Sequence, residues 1–163
     1  MKNKPLTILM SIALLLVGGL ITSAHAMSGV IYGADKLSSS RTLCVTQDQY
    51  GFIWIGTENG LNCYDGYHFR SYTHSTKDPH SLCGIDAITM LVARNHELWI
   101  GTGSGVCRYH YDTDNFEKVE LPIHEKIHIS CLYEKADGGI LIGTAGFGVF
   151  EYKNGRTDRK SVV

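Results

Sequence analysis

Between residues 52 and 57 the chain alternates two sets of side chains, Phe52, Trp54 and Gly56 against Ile53, Ile55 and Thr57, and both sets are largely apolar. A period of two predicts a strand, and a strand apolar on both faces must be covered twice. Around it lie three more β-prone runs, Thr42–Gln47, Leu61–Tyr64 and Phe69–Tyr72, separated by turn residues. Asn59-Gly60 and Asp65-Gly66 supply the positive φ angles that tight hairpins need. Four strands joined by hairpins predict an antiparallel meander.

The same pattern returns twice. Trp54-Ile55-Gly56-Thr57 is followed by Trp99-Ile100-Gly101-Thr102 and by Leu141-Ile142-Gly143-Thr144, with anchors 45 and 42 residues apart. A period of roughly 40–50 residues with four strands per unit predicts β-propeller blades. The fold class is therefore all-β, with about three blades of an incomplete propeller at 37–75, 82–120 and 126–155. The second unit supplies Ile88–Val92, Leu98–Thr102, Val106–Tyr111 and Phe116–Val119, whereas the third offers only Ile127–Tyr133, Ile140–Thr144 and Val149–Tyr152. The repeat anchors Trp54, Gly56, Trp99, Gly101, Leu141 and Gly143 are read as scaffold, with Trp54, Trp99 and Leu141 packing between blades.

The ends carry different signals. Lys2 and Lys4 precede an apolar run from Leu6 to Ile21, and Ala24-His25-Ala26 is a small-x-small cleavage signal, so residues 1–26 read as a secretory signal peptide cut after Ala26. The expected location is the periplasm. Residues 156–163 read as a non-native tail, because Asp158-Arg159-Lys160-Ser161-Val162-Val163 resembles one reading frame of a sequencing-library adapter. Three blades fall short of the four to eight that close a propeller, so the chain is expected to expose strand edges and to be poorly soluble.

Charge and cysteine usage narrow the functions. With 15 basic and 16 acidic residues the chain has no basic footprint, and direct contact with nucleic acid is not expected. Cys44, Cys63, Cys83, Cys107 and Cys131 form no CxxC pair; Cys44 and Cys131 each lie ten residues before an anchor and read as small buried apolar residues. His124-Glu125-Lys126-Ile127-His128 matches the HExxH zinc pattern, but Pro122 and the alternation of Ile127–Leu132 predict an extended segment rather than the helix that pattern needs. No metal site, cofactor or catalytic residue is assigned. Asp48, six residues before Trp54, is expected to cap a turn. In the second unit Asn95 takes its place, only four residues before Trp99. The connections Thr73–Gly84 and Glu120–Lys126 are where binding residues would sit on such a scaffold.

Asp48-x-x-Gly51-Phe52-Ile53-Trp54-Ile55-Gly56-Thr57-x-x-Gly60-Leu61-Asn62-x-Tyr64-Asp65-Gly66, followed by Phe69 and Ser81-Leu82, resembles the two-component regulator propeller repeat. The resemblance implies the N-terminal part of a periplasmic sensor of a hybrid two-component histidine kinase of the Bacteroidetes type, detecting carbohydrate breakdown products. It implies an oligosaccharide ligand, a homodimer of the full-length protein, and membrane anchoring through a helix downstream of this segment. Ligand-binding residues are not written in the repeat. The other reading is a secreted propeller glycoside hydrolase or lyase, although no paired carboxylates in an acid/base arrangement stand out.

Overall fold

The computed structural model describes residues 36–160, which fall within one compact unit of twelve strands and no α-helix. The expected signal peptide with its cleavage after Ala26, and the last three residues, lie outside the described residues. The strands form three four-stranded antiparallel meanders in sequence order. The first contains β1 Thr42–Gln47, β2 Ile53–Thr57, β3 Gly60–Tyr64 and β4 Phe69–Tyr72. The second contains β5 Thr89–Val92, β6 Leu98–Thr102, β7 Gly105–His110 and β8 Asn115–Val119. The third contains β9 Ile129–Glu134, β10 Ile140–Thr144, β11 Gly148–Lys153 and β12 Arg156–Lys160. These are propeller blades, and their first strands β1, β5 and β9 lie side by side along one edge of the array.

The fourth strand of the third blade corrects the sequence reading. Residues 156–160, set aside there as a tail, pair in register with β11, from Lys153 opposite Arg156 to Val149 opposite Lys160. Asn154 and Gly155 sit at φ 51° and 76°, the two positive angles of a type I′ hairpin. Backbone pairing and that turn suffice to make a strand from Arg-Thr-Asp-Arg-Lys. Its polar side chains suit an outer edge.

The repeat signature has a physical account at each position. The threonine hydroxyls of Thr57, Thr102 and Thr144 donate to the carbonyls of Gly60, Gly105 and Gly148 at 2.9, 2.8 and 2.7 Å, closing the following hairpin. The glycine leaves room for the next blade. A Cβ on Gly56 would stand 2.4 Å from the Ala87 carbonyl oxygen, and one on Gly101 would stand 2.6 Å from methyl groups of Ile129 and Thr89.

Two cores lie between the blades. Trp54 and Leu61 of the first blade meet Leu98, Ile100, Tyr109 and Phe116 of the second, with Leu82 from the crossover fully buried among them. Trp99 and Val106, on the other face of the second blade, meet Ile129, Ile140, Ile142 and Phe150 of the third. Strand β6 is consequently buried at all five positions, whereas β2 and β10 each keep two half-buried residues.

The outer faces depart from expectation. Leu141, at the anchor position of the third blade, is half-buried and belongs to neither core, because among the described residues no fourth sheet covers it. Cys131 is exposed for the same reason, while its counterpart Cys44 is half-buried against Ala87. Burial pushes the Cys44 thiol up to about 11. Val45 and Tyr133 are exposed on the two outward faces.

Candidate functional site

Hairpins that join the first and second strands of each blade gather at one end of the array, and there the two inter-blade seams differ. In the first seam Asp48 is buried. Its Oδ1 accepts the backbone N–H groups of Tyr50 and Phe52 at 2.9 and 3.0 Å, which fixes the β1–β2 turn. Its Oδ2 accepts the Trp54 indole N–H at 2.7 Å and the Tyr111 hydroxyl at 2.9 Å. Burial, then the hydrogen bond to Asp48, raises the Tyr111 phenol far above its ordinary value, so Tyr111 serves as a donor at any physiological pH.

Below Asp48 runs an aromatic stack. Tyr109 meets the Trp54 ring edge-on with centroids 4.7 Å apart, and Tyr72 stacks at 5.8 Å. Both hydroxyls donate to Asp114 Oδ1 at 2.6 Å, and Arg70 reaches Oδ2 at 2.7 Å. Desolvation works to raise the Asp114 carboxyl, but the hydrogen bonds from Tyr109 and Tyr72 and the Arg70 charge together hold it below its usual range. Tyr72 is thus part of the seam.

In the second seam the geometry is repeated and the polar complement is not. Tyr152 meets Trp99 edge-on with centroids 5.0 Å apart, as Tyr109 meets Trp54. Arg108 stands beside Trp99 where Cys63 stands beside Trp54, and its guanidinium carbon lies 5.6 Å from the Trp99 ring and 5.4 Å from that of Tyr152. The β5–β6 turn has five residues, as the β1–β2 turn does, and matching backbone hydrogen bonds put Ala93 at the place of Asp48, which corrects the assignment of Asn95 to that place. Asn95 is exposed and accepts the Glu97 backbone N–H at 3.2 Å. No carboxylate takes the place of Asp48. The Trp99 indole N–H and the Arg108 Nε–H are both buried with no hydrogen-bond partner among the described residues.

A cleft of about 320 Å³ is lined by Trp99 and Arg108 and walled by Glu97, Glu134, Asp137, Lys153 and Asn154. Its charges are paired: Arg108 with Glu97 and Glu117, Arg94 with Glu134, and Lys135 and Lys153 with Asp137. A second cleft, of about 480 Å³, lies at the opposite end of the blades against the Thr73–Gly84 crossover. That crossover is internally tied: Ser81 Oγ donates to the Ser75 and Asp78 carbonyls, and a ring nitrogen of His74 lies 2.7 Å from the Leu82 carbonyl. Lys118 and Lys126 face the same cleft.

Sequence reasoning pointed to the crossover and to a lost acidic residue in the second unit, though at Asn95 instead of Ala93, and not to Arg108 or to the pairing of Tyr111 with Asp48 across 63 residues. The HExxH run from His124 to His128 forms a connection without helix, so its histidines do not share a helical face.

Residues 36–59 match the family model described as the two component regulator propeller. This segment is similar to a two-component regulator propeller repeat. This repeat ends with the β2 strand and its turn, and the two later blades repeat its Ile-Gly-Thr core. A curated relative, Histidine kinase P4 of Formosa agariphila, is 40% identical over 48 residues, which is 29% of this chain and 4% of the kinase. Among solved structures, virginiamycin B lyase of Staphylococcus aureus has the same fold, with a TM-score of 0.56 at 15% identity over 72% of this chain and 40% of the lyase. The extracellular domain assigned to a hybrid two component system of B. thetaiotaomicron aligns with a TM-score of 0.49 at 19% identity, over 82% of this chain and 26% of that domain.

Proposed function

We propose that this propeller is the N-terminal part of the ligand-sensing region of a hybrid two-component histidine kinase, exported to the periplasm, where it detects products of carbohydrate breakdown. The observation that carries the reading is the regulator propeller repeat at residues 36–59, together with the short stretch of identity to a histidine kinase. Signalling would follow if an oligosaccharide bound more tightly to one of two arrangements of a sensor homodimer, since only differential affinity shifts such an equilibrium. The propeller itself would do no chemistry, and a kinase elsewhere in the protein would supply the output across the inner membrane.

The test is genetic. The gene is deleted in its host and transcripts are compared on a panel of oligosaccharides. Loss of induction by one glycan, with growth on its free monosaccharide unchanged, supports the sensor. Unchanged induction, together with glycan-degrading activity that disappears from the periplasmic extract, would replace the sensor with a secreted hydrolase or lyase.

A further inference from the structure

The cleft over Trp99 is a place where the repeat has been left chemically incomplete. At the equivalent point of the first seam one carboxylate accepts an indole N–H and a phenol O–H. At the second seam the turn has the same length but carries Ala93 at the place of Asp48, so that acceptor is gone, yet the indole is fully buried and a guanidinium N–H has joined it. Buried donors without acceptors are a standing cost, which an incoming oxygen atom removes.

What kind of oxygen fits is decided by charge. The other two nitrogens of Arg108 already serve Glu97 and Glu117, at 3.0 and 2.5 Å. Glu97, Glu134 and Asp137 also face the cleft. A third anion at Arg108 would meet like charge from these walls, whereas an uncharged oxygen would not. A hydroxyl accepts from the two orphan N–H groups and can donate its own proton to a carboxylate of the wall. A ring carrying several hydroxyls could do both at once, with an apolar face against Tyr152, and about 320 Å³ lies at the small end of ligand sites.

We propose that this cleft is a subsite for one uncharged polyhydroxylated ring, a neutral sugar residue, held through an oxygen that accepts from Trp99 Nε1 and Arg108 Nε. The assignment rests on the sensor reading and gives it a location.

The test uses the full chain uniformly labelled with ¹⁵N, titrated with glucose, galactose and mannose, and with glucuronate as the charged counterpart. The expected result is a saturable shift of the Trp99 indole N–H resonance with at least one neutral sugar, the Trp54 resonance staying fixed by Asp48. Glucuronate should bind more weakly. Trp99→Phe, which keeps a ring and removes the donor, should lower the affinity measured by calorimetry about tenfold. Arg108→Met should act in the same direction. Three results would overturn the subsite: a Trp99 resonance unmoved by every neutral sugar, equal or tighter binding of glucuronate, or unaltered affinity in Trp99→Phe. Resonances that shift only around His74–Cys83 would place binding at the opposite end, ending this proposal while leaving the sensor reading intact.

Discussion

The seam between the first and second blades and the seam between the second and third are built from the same repeat, yet one is chemically closed and the other is open. Each places a tryptophan against a tyrosine edge, at 4.7 and 5.0 Å. In the first, Asp48 satisfies the indole; in the second, the Trp99 N–H and the Arg108 Nε–H have no partner among the described residues. The difference is made by two substitutions at matching positions, Asp48 to Ala93 in the turn and Cys63 to Arg108 on the strand. Apolar packing therefore defines the blade, while the polar residues at its hairpin end are free to diverge. Where they leave donors unmet over a cleft, a scaffold can acquire a binding function without changing its fold.

The largest effects test the shared part of the two seams. Trp54→Ala and Trp99→Ala each open a large void in a seam core and should each lower unfolding free energy by about 3–5 kcal/mol in urea titrations. A loss below about 1 kcal/mol in either would show that its seam is not packed as described. Gly101→Ala comes next, at about 1–3 kcal/mol, because its new methyl meets side chains of two strands at 2.6 Å. Gly143→Ala should cost less, since the atom it meets most closely is the Sγ of exposed Cys131, which has room to turn away. Equal losses would contradict the view that blade-to-blade contact explains the glycine.

The polar difference is tested by smaller effects. Asp48→Asn exchanges one acceptor oxygen for a donor and weakens the rest, for an expected loss of about 1–3 kcal/mol, while Asn95→Ala should stay within about 0.5 kcal/mol. The smallest effect is acid sensitivity. The Asp114 carboxyl is held below its unfolded value, so its contribution is present above the ordinary carboxylate range and is lost as pH falls through the folded value. Stability should drop below about pH 4, and Asp114→Asn should shrink that drop without abolishing it, because Glu117 and Glu151 are held down as well. An unchanged acid limb in Asp114→Asn would remove Asp114 from the account.

Most of the scaffold was legible because its signals are local. Alternation in Phe52–Thr57, hairpin dipeptides such as Asn59-Gly60, and the return of Ile-Gly-Thr define strands, turns and blades without reference to anything distant. Strand β12 was missed because Arg156–Lys160 has no apolar alternation, although Asn154-Gly155 just before it is a hairpin signal of the same kind. Leu141 and Cys131 were read as buried because the repeat assigns them to an interface, and burial depends on a neighbour as well as on a pattern. The open seam was only half visible. That the second unit lacks the Asp48 carboxylate stands in the sequence, but its counterpart is Ala93 rather than Asn95, since the turns are equal in length. That Arg108 would lie against Trp99, and that Tyr111 would serve Asp48 across the first seam, follows from contacts between residues far apart in the chain.

The most direct test of the difference between the seams is the pair Trp54→Phe and Trp99→Phe, compared by equilibrium unfolding in the absence of ligand. Both keep an aromatic ring and lose the indole N–H. The first strips a donor from buried Asp48 and should cost about 1–3 kcal/mol more than the second, which removes a donor that had no acceptor to lose. A Trp99→Phe variant destabilised as much as Trp54→Phe, or more, would mean that the Trp99 N–H is satisfied in the unliganded protein and that the second seam is as closed as the first.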